Sequence, residues 1–366
     1  MNLSGPIFNR RRWLRVMTSV LLCMTMMSCS ALSKSGESEP APQPLKQETQ
    51  PEALEPPKES TIPAFTAPLT GLPLQHPVLE RPLAIMINNA PAARPQAGLS
   101  EADMVYEVLA EGGITRLVAF FQSHGGDVKI GPVRSIRPYL IELGETYGAL
   151  PIHAGGSTDA YAILQQQRKE HLDEISNGGA YFWRSKDRRP PHNLYTDVNR
   201  LRQGSESKGY IRQTVVPVYN YLKSGETSVM GDEDAVSLQI RFLLKSYKVS
   251  YTYDPSDQQY KRFVNEKSHV DQNNNKQLSA ANVIVMSTRH QTLDDVGRLS
   301  VELNGSGEAM VFQQGRLIHA EWQHTSGDAI RFMKNGVEIS LVPGTSYIHV
   351  VPADVSLNEH VSVEAK

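Results

Sequence analysis

D-M-V-Y-E-V-L-A-E-G-G-I-T-R-L-V-A-F-F-Q, the stretch from Asp103 to Gln122, decides the fold of the first half of this chain. It contains two apolar runs, 104–110 and 114–121, whose composition predicts β-strands. The residues Glu111 to Gly113 between them have the length and chemistry of a hairpin turn. We therefore expect a hairpin here, with charged side chains at the ends of its strands.

The elements around this hairpin mix strands with helices. Two short apolar runs predict further buried strands, at residues 83–87 and 150–153. Two helices are predicted at residues 138–147 and 159–167. Ser157 or Thr158 can serve as the N-cap of the second helix. The first domain, residues 69–215, is therefore predicted to be mixed α/β, in the α+β class.

The second half of the chain has a different character. From residue 235 onward, short strand-like runs alternate with turn residues such as Asn304-Gly305. Tyr251, Tyr253 and Phe263 alternate with polar residues, which is the period of a half-buried sheet. We expect a mostly β C-terminal domain over residues 235–355.

The composition excludes several classes of function. A net charge of -2 argues against a nucleic-acid partner, which needs a concentrated basic surface. Both cysteines, Cys23 and Cys29, lie near the N-terminus, so the folded part has no disulfide and no cysteine-based metal site. The histidines lack metal-ligand spacing, and no nucleotide-binding glycine motif is present. We therefore expect no metal and no cofactor.

The N-terminus has the features of an export signal. A basic region, Arg10 to Arg15, precedes an apolar run over 16–27 that is too short to span a bilayer comfortably. Ser28-Cys29 follows, so residues 1–28 resemble a bacterial lipoprotein signal peptide. That resemblance implies a lipidated Cys29, a cell-membrane anchor and an extracytoplasmic location. A secretory signal with an incidental cysteine, or a retained transmembrane anchor, is the alternative.

Residues 29–68 form the next segment, which is rich in Pro, Glu, Gln and Ser. Such a composition cannot bury enough apolar surface to offset the entropy of the chain. We expect a disordered linker that holds the folded part away from the bilayer.

Glu107 and Glu111 are the candidate catalytic residues. They lie four positions apart, and paired carboxylates carry out the acid–base steps of most glycoside hydrolases. Glu107 lies inside an apolar run, where a carboxylate is costly unless it is paired. The alternative is therefore a structural ion pair of Glu107 with Arg116 or Arg134.

Arg116, Arg134 and Arg137 are candidate ligand-binding residues. Arginine presents a rigid fork of donors that suits carboxylate or phosphate groups, so the three can clamp an anion. The alternative is that they neutralise nearby glutamates. His153 and Ser157 belong to H-A-G-G-S, which ends a strand and opens a helix; this turn is a further candidate for ligand binding. For Ser157 the alternative is an N-cap.

Several motifs carry a family resemblance. They are R-P-L-A-I-M-I-N-N at 81–89, E-G-G-I-T-R at 111–116, I-G-P-V-R-S-I-R at 130–137, H-A-G-G-S at 153–157 and G-S-G-E-A-M-V-F-Q-Q-G at 305–315. Together they resemble the YerB-type lipoproteins of Gram-positive bacteria, a family with an N-terminal and a C-terminal domain of unknown function. The resemblance implies an architecture and a location, and it supplies no activity.

The favoured function is that of a membrane-anchored, extracytoplasmic lipoprotein that binds a polar or anionic cell-envelope ligand, such as a wall polymer. The binding cleft would be lined by the glutamates, the arginines and His153. One alternative is an enzyme that cleaves cell-wall glycan with Glu111 or Glu107 as general acid. Another is a scaffold that binds an envelope protein.

Overall fold

A computed structural model describes residues 65–364, apart from positions 125, 224 and 229. The predicted signal peptide, Cys29 and nearly all of the predicted linker lie outside the described residues. Within the described residues, no helix is both long and apolar enough to cross a lipid bilayer.

Among the described residues, the first half supplies five strands of a central sheet and three α-helices. The strands are β1 (Leu83–Asn88), β2 (Met104–Leu109), β3 (Thr115–Phe121), β4 (Leu150–His153) and β5 (Leu172–Asp173). The helices are α1 (Pro138–Thr146), α2 (Thr158–Gln166) and α3 (Val198–Ser207). The hairpin predicted from the sequence is confirmed, since β2 and β3 pair antiparallel around a turn at Glu111–Gly113.

The second half is mostly β. Its longer strands are β6 (Ser237–Arg241), β7 (Lys248–Asp254), β8 (Gln259–Val264), β9 (Asn282–Thr288), β10 (Gly305–Gln313), β11 (Arg316–His324), β12 (Arg331–Lys334), β13 (Ser346–Pro352) and β14 (Val361–Glu364). One short helix, α4 (Leu357–His360), lies between the last two strands. The shorter strands of this half lie at Glu233–Asp234, Lys267–Ser268, Ser279–Ala280, His290–Thr292, Leu299–Val301 and Val337–Glu338, and those of the first half lie at Phe65–Thr66, Pro73–Leu74, Trp183–Arg184 and Leu194–Tyr195. The predicted fold class, mixed α/β followed by mostly β, is confirmed.

One central sheet passes through both halves. After Val337–Glu338 at its edge, its order is β12-β11-β10-β9-β13-β2-β3-β1-β4-β5. The two halves meet where β13 pairs parallel with β2, which places His349 opposite Glu107. A second sheet contains β8, β7, β6 and β14 in that order.

The two faces of the central sheet bury different partners. Because side chains alternate along a strand, Tyr106 and Phe120 pack on one face, in a cluster that includes α1 residues such as Leu140. Val105 and Leu117 pack on the other face, in a cluster that includes residues of the second sheet such as Ile240, Val249 and Tyr251. A polar residue on this second face therefore lies between two sheets, away from water.

Candidate functional site

Glu107 lies in the middle of β2, on the face of the central sheet that packs against the second sheet. Its side chain is fully buried, and Arg262 of β8, also fully buried, donates to Glu107 Oε2 over 2.7 Å. His349 Nδ1 lies 3.2 Å from the same oxygen. The ion pair therefore joins the first half of the chain to the second half across the space between the sheets.

The other oxygen of Glu107 is equally occupied. Oε1 accepts hydrogen bonds from Thr115 Oγ1 at 2.7 Å, from Asn89 Nδ2 at 3.1 Å and from the hydroxyl of Tyr247. Burial would raise the pKa of Glu107, but the Arg262 charge, together with contacts to His349 and Tyr247, outweighs burial and holds this pKa well below its ordinary value. The carboxylate is therefore ionised and fully engaged inside the protein.

Arg262 is held just as completely. Its Nε donates to His269 Nδ1 over 3.0 Å, and its Nη1 donates to the hydroxyl of Tyr251. Burial and the Arg262 charge hold the pKa of His269 well below its ordinary value, which keeps this imidazole neutral and able to accept. The guanidinium also lies 5.2 Å from the ring centre of Tyr347. We call the set Glu107, Arg262, His269, His349 and Tyr247 the ionic core.

The sequence-based alternative that paired Glu107 with Arg116 or Arg134 is wrong about the partner. In the register of the hairpin, Glu107 lies opposite Leu117, whereas Arg116 lies opposite Val108. Side chains of neighbouring positions point to opposite faces of a sheet, so Arg116 lies on the face that Glu107 does not share. The partner comes instead from β8, 155 residues further along the chain.

Arg116, Arg137 and Glu111 form a second group at the end of the hairpin. Glu111 lies in the turn beyond β2 and forms an ion pair with Arg137. Arg116 Nη1 donates to the carbonyl of Ser135 over 3.0 Å. Glu111 therefore shares no ligand-facing surface with Glu107, although the two are only four residues apart.

Positive charge is in excess in this second group. Burial, then the charge of Arg137, lowers the pKa of Arg116 to about 10, and the same two causes lower the pKa of Arg134. Burial would raise the pKa of Glu111, but its hydrogen bond and ion pair with Arg137 lower it. Three arginines thus interact with one carboxylate. We call Glu111, Arg116, Arg134 and Arg137 the arginine cluster.

Two of these arginines keep donors without partners among the described residues. The Nε of Arg116 is buried and has no hydrogen-bond partner there. The side chain of Arg134 is half-buried, and within residues 65–364 as described it makes neither a hydrogen bond nor an ion pair. A buried cationic donor without a partner is costly, and an anion would satisfy it.

The arginine cluster lies at the carboxyl ends of parallel strands. Strands β1 and β4 pair parallel. The loop over 130–137 pairs with β1 through a bridge between Val133 and Ile87, and with the turn after β4 through a bridge between Ile136 and Gly156. Helix α1 begins at Pro138 directly after this loop, and α2 begins at Thr158 directly after the turn that pairs with it. Open α/β sheets bind ligands at this edge, where helix N-termini add a favourable field for anions.

His153 and Ser157 have contacts of their own. His153 is buried, with Nδ1 2.9 Å from the carbonyl oxygen of Gly155 and Nε2 3.0 Å from His171 Nδ1. Burial, partly offset by Asp173, lowers the pKa of His153 to about 4. Ser157 Oγ accepts from the amide of Ala160, which makes Ser157 the N-cap of α2. Both ring nitrogens of His153 thus face groups of the protein, and Ser157 is used to cap α2.

Sequence reasoning missed Arg262 and His349, although for Arg262 a signal was present in Tyr260 and Val264, which lie two positions to either side of it. Along β8, Tyr260, Arg262 and Val264 are buried, while the residues between them are partly exposed. The alternation therefore places Arg262 in the inward phase, where a charge requires a buried partner. No cluster of three or more His, Cys, Asp or Glu able to hold a metal occurs among the described residues.

Comparisons with known proteins agree with this architecture. Residues 69–211 match the N-terminal domain and residues 238–348 the C-terminal domain of a family described as protein of unknown function (DUF3048). The "Putative lipoprotein YerB" of Bacillus subtilis is 33% identical over 307 residues, which cover 82% of this chain and 92% of that protein. The crystal structure of YerB from Bacillus subtilis matches with a TM-score of 0.74 at 31% identity, covering 82% of this chain and 99% of that one.

Proposed function

The chain belongs to the DUF3048 family and is similar to the "Putative lipoprotein YerB", and on that premise we propose that it is a lipid-anchored, extracytoplasmic binding protein for an anionic cell-envelope ligand. The anchor is Cys29, and the ligand site is the arginine cluster. A phosphate- or carboxylate-bearing wall polymer is the ligand class that fits best.

The observation that carries this proposal is the imbalance of charge in the arginine cluster. Glu111 is committed to Arg137, which leaves Arg116 and Arg134 without a carboxylate partner in the described part of the chain. Arginine makes bidentate, charge-assisted bonds to phosphate and carboxylate groups. An anion at this edge of the sheet would supply the missing acceptors.

Arg134 offers the cleanest test of the site. Arg116 and Arg137 also bond to backbone carbonyls, of Ser135 and Ile136, so their removal disturbs the loop. Arg134 has no such bond among the described residues, so Arg134→Gln removes charge at little structural cost. The soluble form of wild type and variant, from residue 65 onward, is mixed with isolated cell envelope, and the retained fraction is measured against salt concentration.

The expected result is retention of the wild type that weakens with salt and is reduced about tenfold in affinity by Arg134→Gln, as for one lost bond to a charged group. Arg241→Gln, at an exposed arginine of β6, is the matched control and should bind like wild type. Equal retention of all three proteins would contradict the proposal.

Cleavage of wall glycan has less support from the geometry. A general acid must hold a proton near neutral pH, and its carboxyl group must reach the substrate. The pKa values of Glu107 and Glu111 are both lowered, and Glu107 is enclosed by the ionic core. Release of soluble sugar from purified wall by the wild type, lost in Glu111→Gln, would favour the enzyme instead.

A further inference from the structure

A pocket lies on the face of the hairpin opposite the arginine cluster. Its volume is about 180 Å³, and its walls include Arg94, Thr115, Leu244 and Tyr247. Thr115 and Arg116 are neighbours on β3, and neighbouring side chains point to opposite faces of a strand. The pocket and the arginine cluster are therefore separate places on the molecule.

Arg94 is the charged group of this pocket. Its guanidinium lies over the ring of Tyr247, 5.1 Å from the ring centre. The Nε of Arg94 is buried without a hydrogen-bond partner, and in the described part of the chain Arg94 belongs to no ion pair. The nearby carboxylate, Glu107, is already satisfied by Arg262 and by its hydroxyl and amide donors.

The remaining walls are apolar or already bonded. Ile114 and Leu244 line the pocket and are 37% and 38% exposed, so they give it an apolar wall that a ligand can reach. The amide of Asn89 is used by Glu107, Thr115, Tyr247 and Gln96, so it has little capacity for a ligand. What the pocket offers a ligand is one cation beside an apolar wall.

We propose that this pocket binds a carboxylate carried on a short apolar group, with Arg94 as the partner of the carboxylate. The apolar group packs against Ile114 and Leu244. The volume lies below the roughly 300 Å³ at which pockets for drug-sized ligands begin, so the ligand portion is small. A free small acid and the C-terminal residue of a peptide share this chemistry.

Occupancy of the pocket is linked to the ionic core through its floor. Thr115 and Tyr247 both line the pocket, and both donate to Glu107 Oε1. A carboxylate bound to Arg94 lies close to this network, and a ligand that binds only the folded state shifts the unfolding equilibrium toward that state. Binding therefore stabilises the folded protein as well as filling the pocket.

The test uses propionate and N-acetylalanine, each compared with its carboxamide. Chemical shifts of the backbone amides over 244–247 and of the arginine Nε–H groups are followed during the titration. Saturable binding of an acid, with no binding of its amide, is the expected result. Binding by both acids indicates that a free small acid suffices, whereas binding by N-acetylalanine alone identifies a peptide end.

Arg94→Gln should weaken the acid about 10- to 100-fold, which corresponds to one lost bond to a charged group. Leu244→Glu, which places a negative charge at the pocket wall, provides a second variant and should also abolish binding. Arg241→Gln is the control and should bind like wild type, and the melting temperature of every variant confirms that it is folded.

Three results would overturn the proposal: no saturable binding of either acid, equal binding of acid and amide, or unchanged binding in Arg94→Gln. If Arg134→Gln lost acid binding while Arg94→Gln kept it, the bound carboxylate would have to lie at the arginine cluster and not in this pocket. Failure of envelope retention in the wild type would leave this test unaffected, because it concerns the other face of the hairpin.

Discussion

Replacing Glu107 with glutamine tests the ionic core directly. The change keeps the size of the side chain and leaves a carbonyl oxygen to accept from Thr115 and Tyr247, but it removes the charge that faces Arg262. Both partners are fully buried and their atoms lie 2.7 Å apart. The variant therefore retains a buried cation whose other contacts are neutral side chains, including His269 and Tyr251.

Breaking a buried ion pair from one side costs about 3–5 kcal/mol. Folded domains are stable by only about 5–15 kcal/mol, so this loss is readily measured by equilibrium unfolding in urea. Two spectroscopic probes should give coincident transitions, since the free energy is defined only for two-state unfolding. Glu206→Gln is the matched control: its ion pair with Arg212 is largely exposed to solvent, and such pairs are worth about 0–1 kcal/mol.

A double-mutant cycle separates the ion pair from other effects of substitution. Arg262→Met replaces the guanidinium by an apolar chain, and in combination with Glu107→Gln it leaves neither charge unpaired. The double variant should be more stable than the sum of the single losses predicts, by about 1–3 kcal/mol. A loss below about 1 kcal/mol in Glu107→Gln, or strict additivity in the cycle, would refute the reasoning.

Acid titration gives the same pair a second signature. The folded-state pKa of Glu107 lies below its unfolded value of about 4.3, so its contribution to stability is complete above that pH and is lost as pH falls through the folded pKa. The wild type should therefore lose stability below about pH 4 more steeply than Glu107→Gln does. Parallel pH profiles would mean that Glu107 is not held as an anion.

The remaining predictions concern the turn after β4 and the N-terminus. The pKa of His153 falls to about 4 on folding, so its stabilising contribution is present above pH 6.5 and is lost as pH falls toward 4. His153→Gln should remove up to about 3 kcal/mol of that pH dependence of the unfolding free energy. Urea unfolding at pH 7 and at pH 4.5 measures the difference. Ser157→Ala should cost about 1 kcal/mol through loss of the N-cap of α2, and Ser157→Asp should restore it; no loss in Ser157→Ala would contradict the cap. Cys29→Ala should release the protein from the membrane fraction, and mass spectrometry should find a diacylglyceryl group on Cys29 of the wild type; an unmodified cysteine would exclude the anchor.

Local features of this fold were predictable because they depend on neighbouring residues. The hairpin followed from two apolar runs around a Gly-Gly turn, and β2 and β3 end within one residue of the predicted limits. The N-cap at Ser157 followed from a serine before a helical segment. The closeness of Arg116 to Arg137 was predictable too, because both lie next to turns that face the same edge.

The pairing of Glu107 was not predictable because it depends on contacts between distant parts of the chain. A buried glutamate inside a strand required a cation, but several arginines were available and the nearest in sequence lay on the wrong face. The correct partner depends on how β8 covers the sheet, and on the parallel pairing of β13 with β2. Neither arrangement leaves a local pattern in the sequence.

The most direct test of the proposed function is a binding titration of the soluble protein with a fluorescently labelled poly(glycerol phosphate), followed by anisotropy at several salt concentrations. The wild type should bind with an affinity that falls as salt rises, and Arg134→Gln should bind about tenfold more weakly with a shallower salt dependence. Arg241→Gln should match the wild type. Identical affinities for wild type and Arg134→Gln, or an affinity that does not change with salt, would contradict the assignment of the arginine cluster as an anion-binding site.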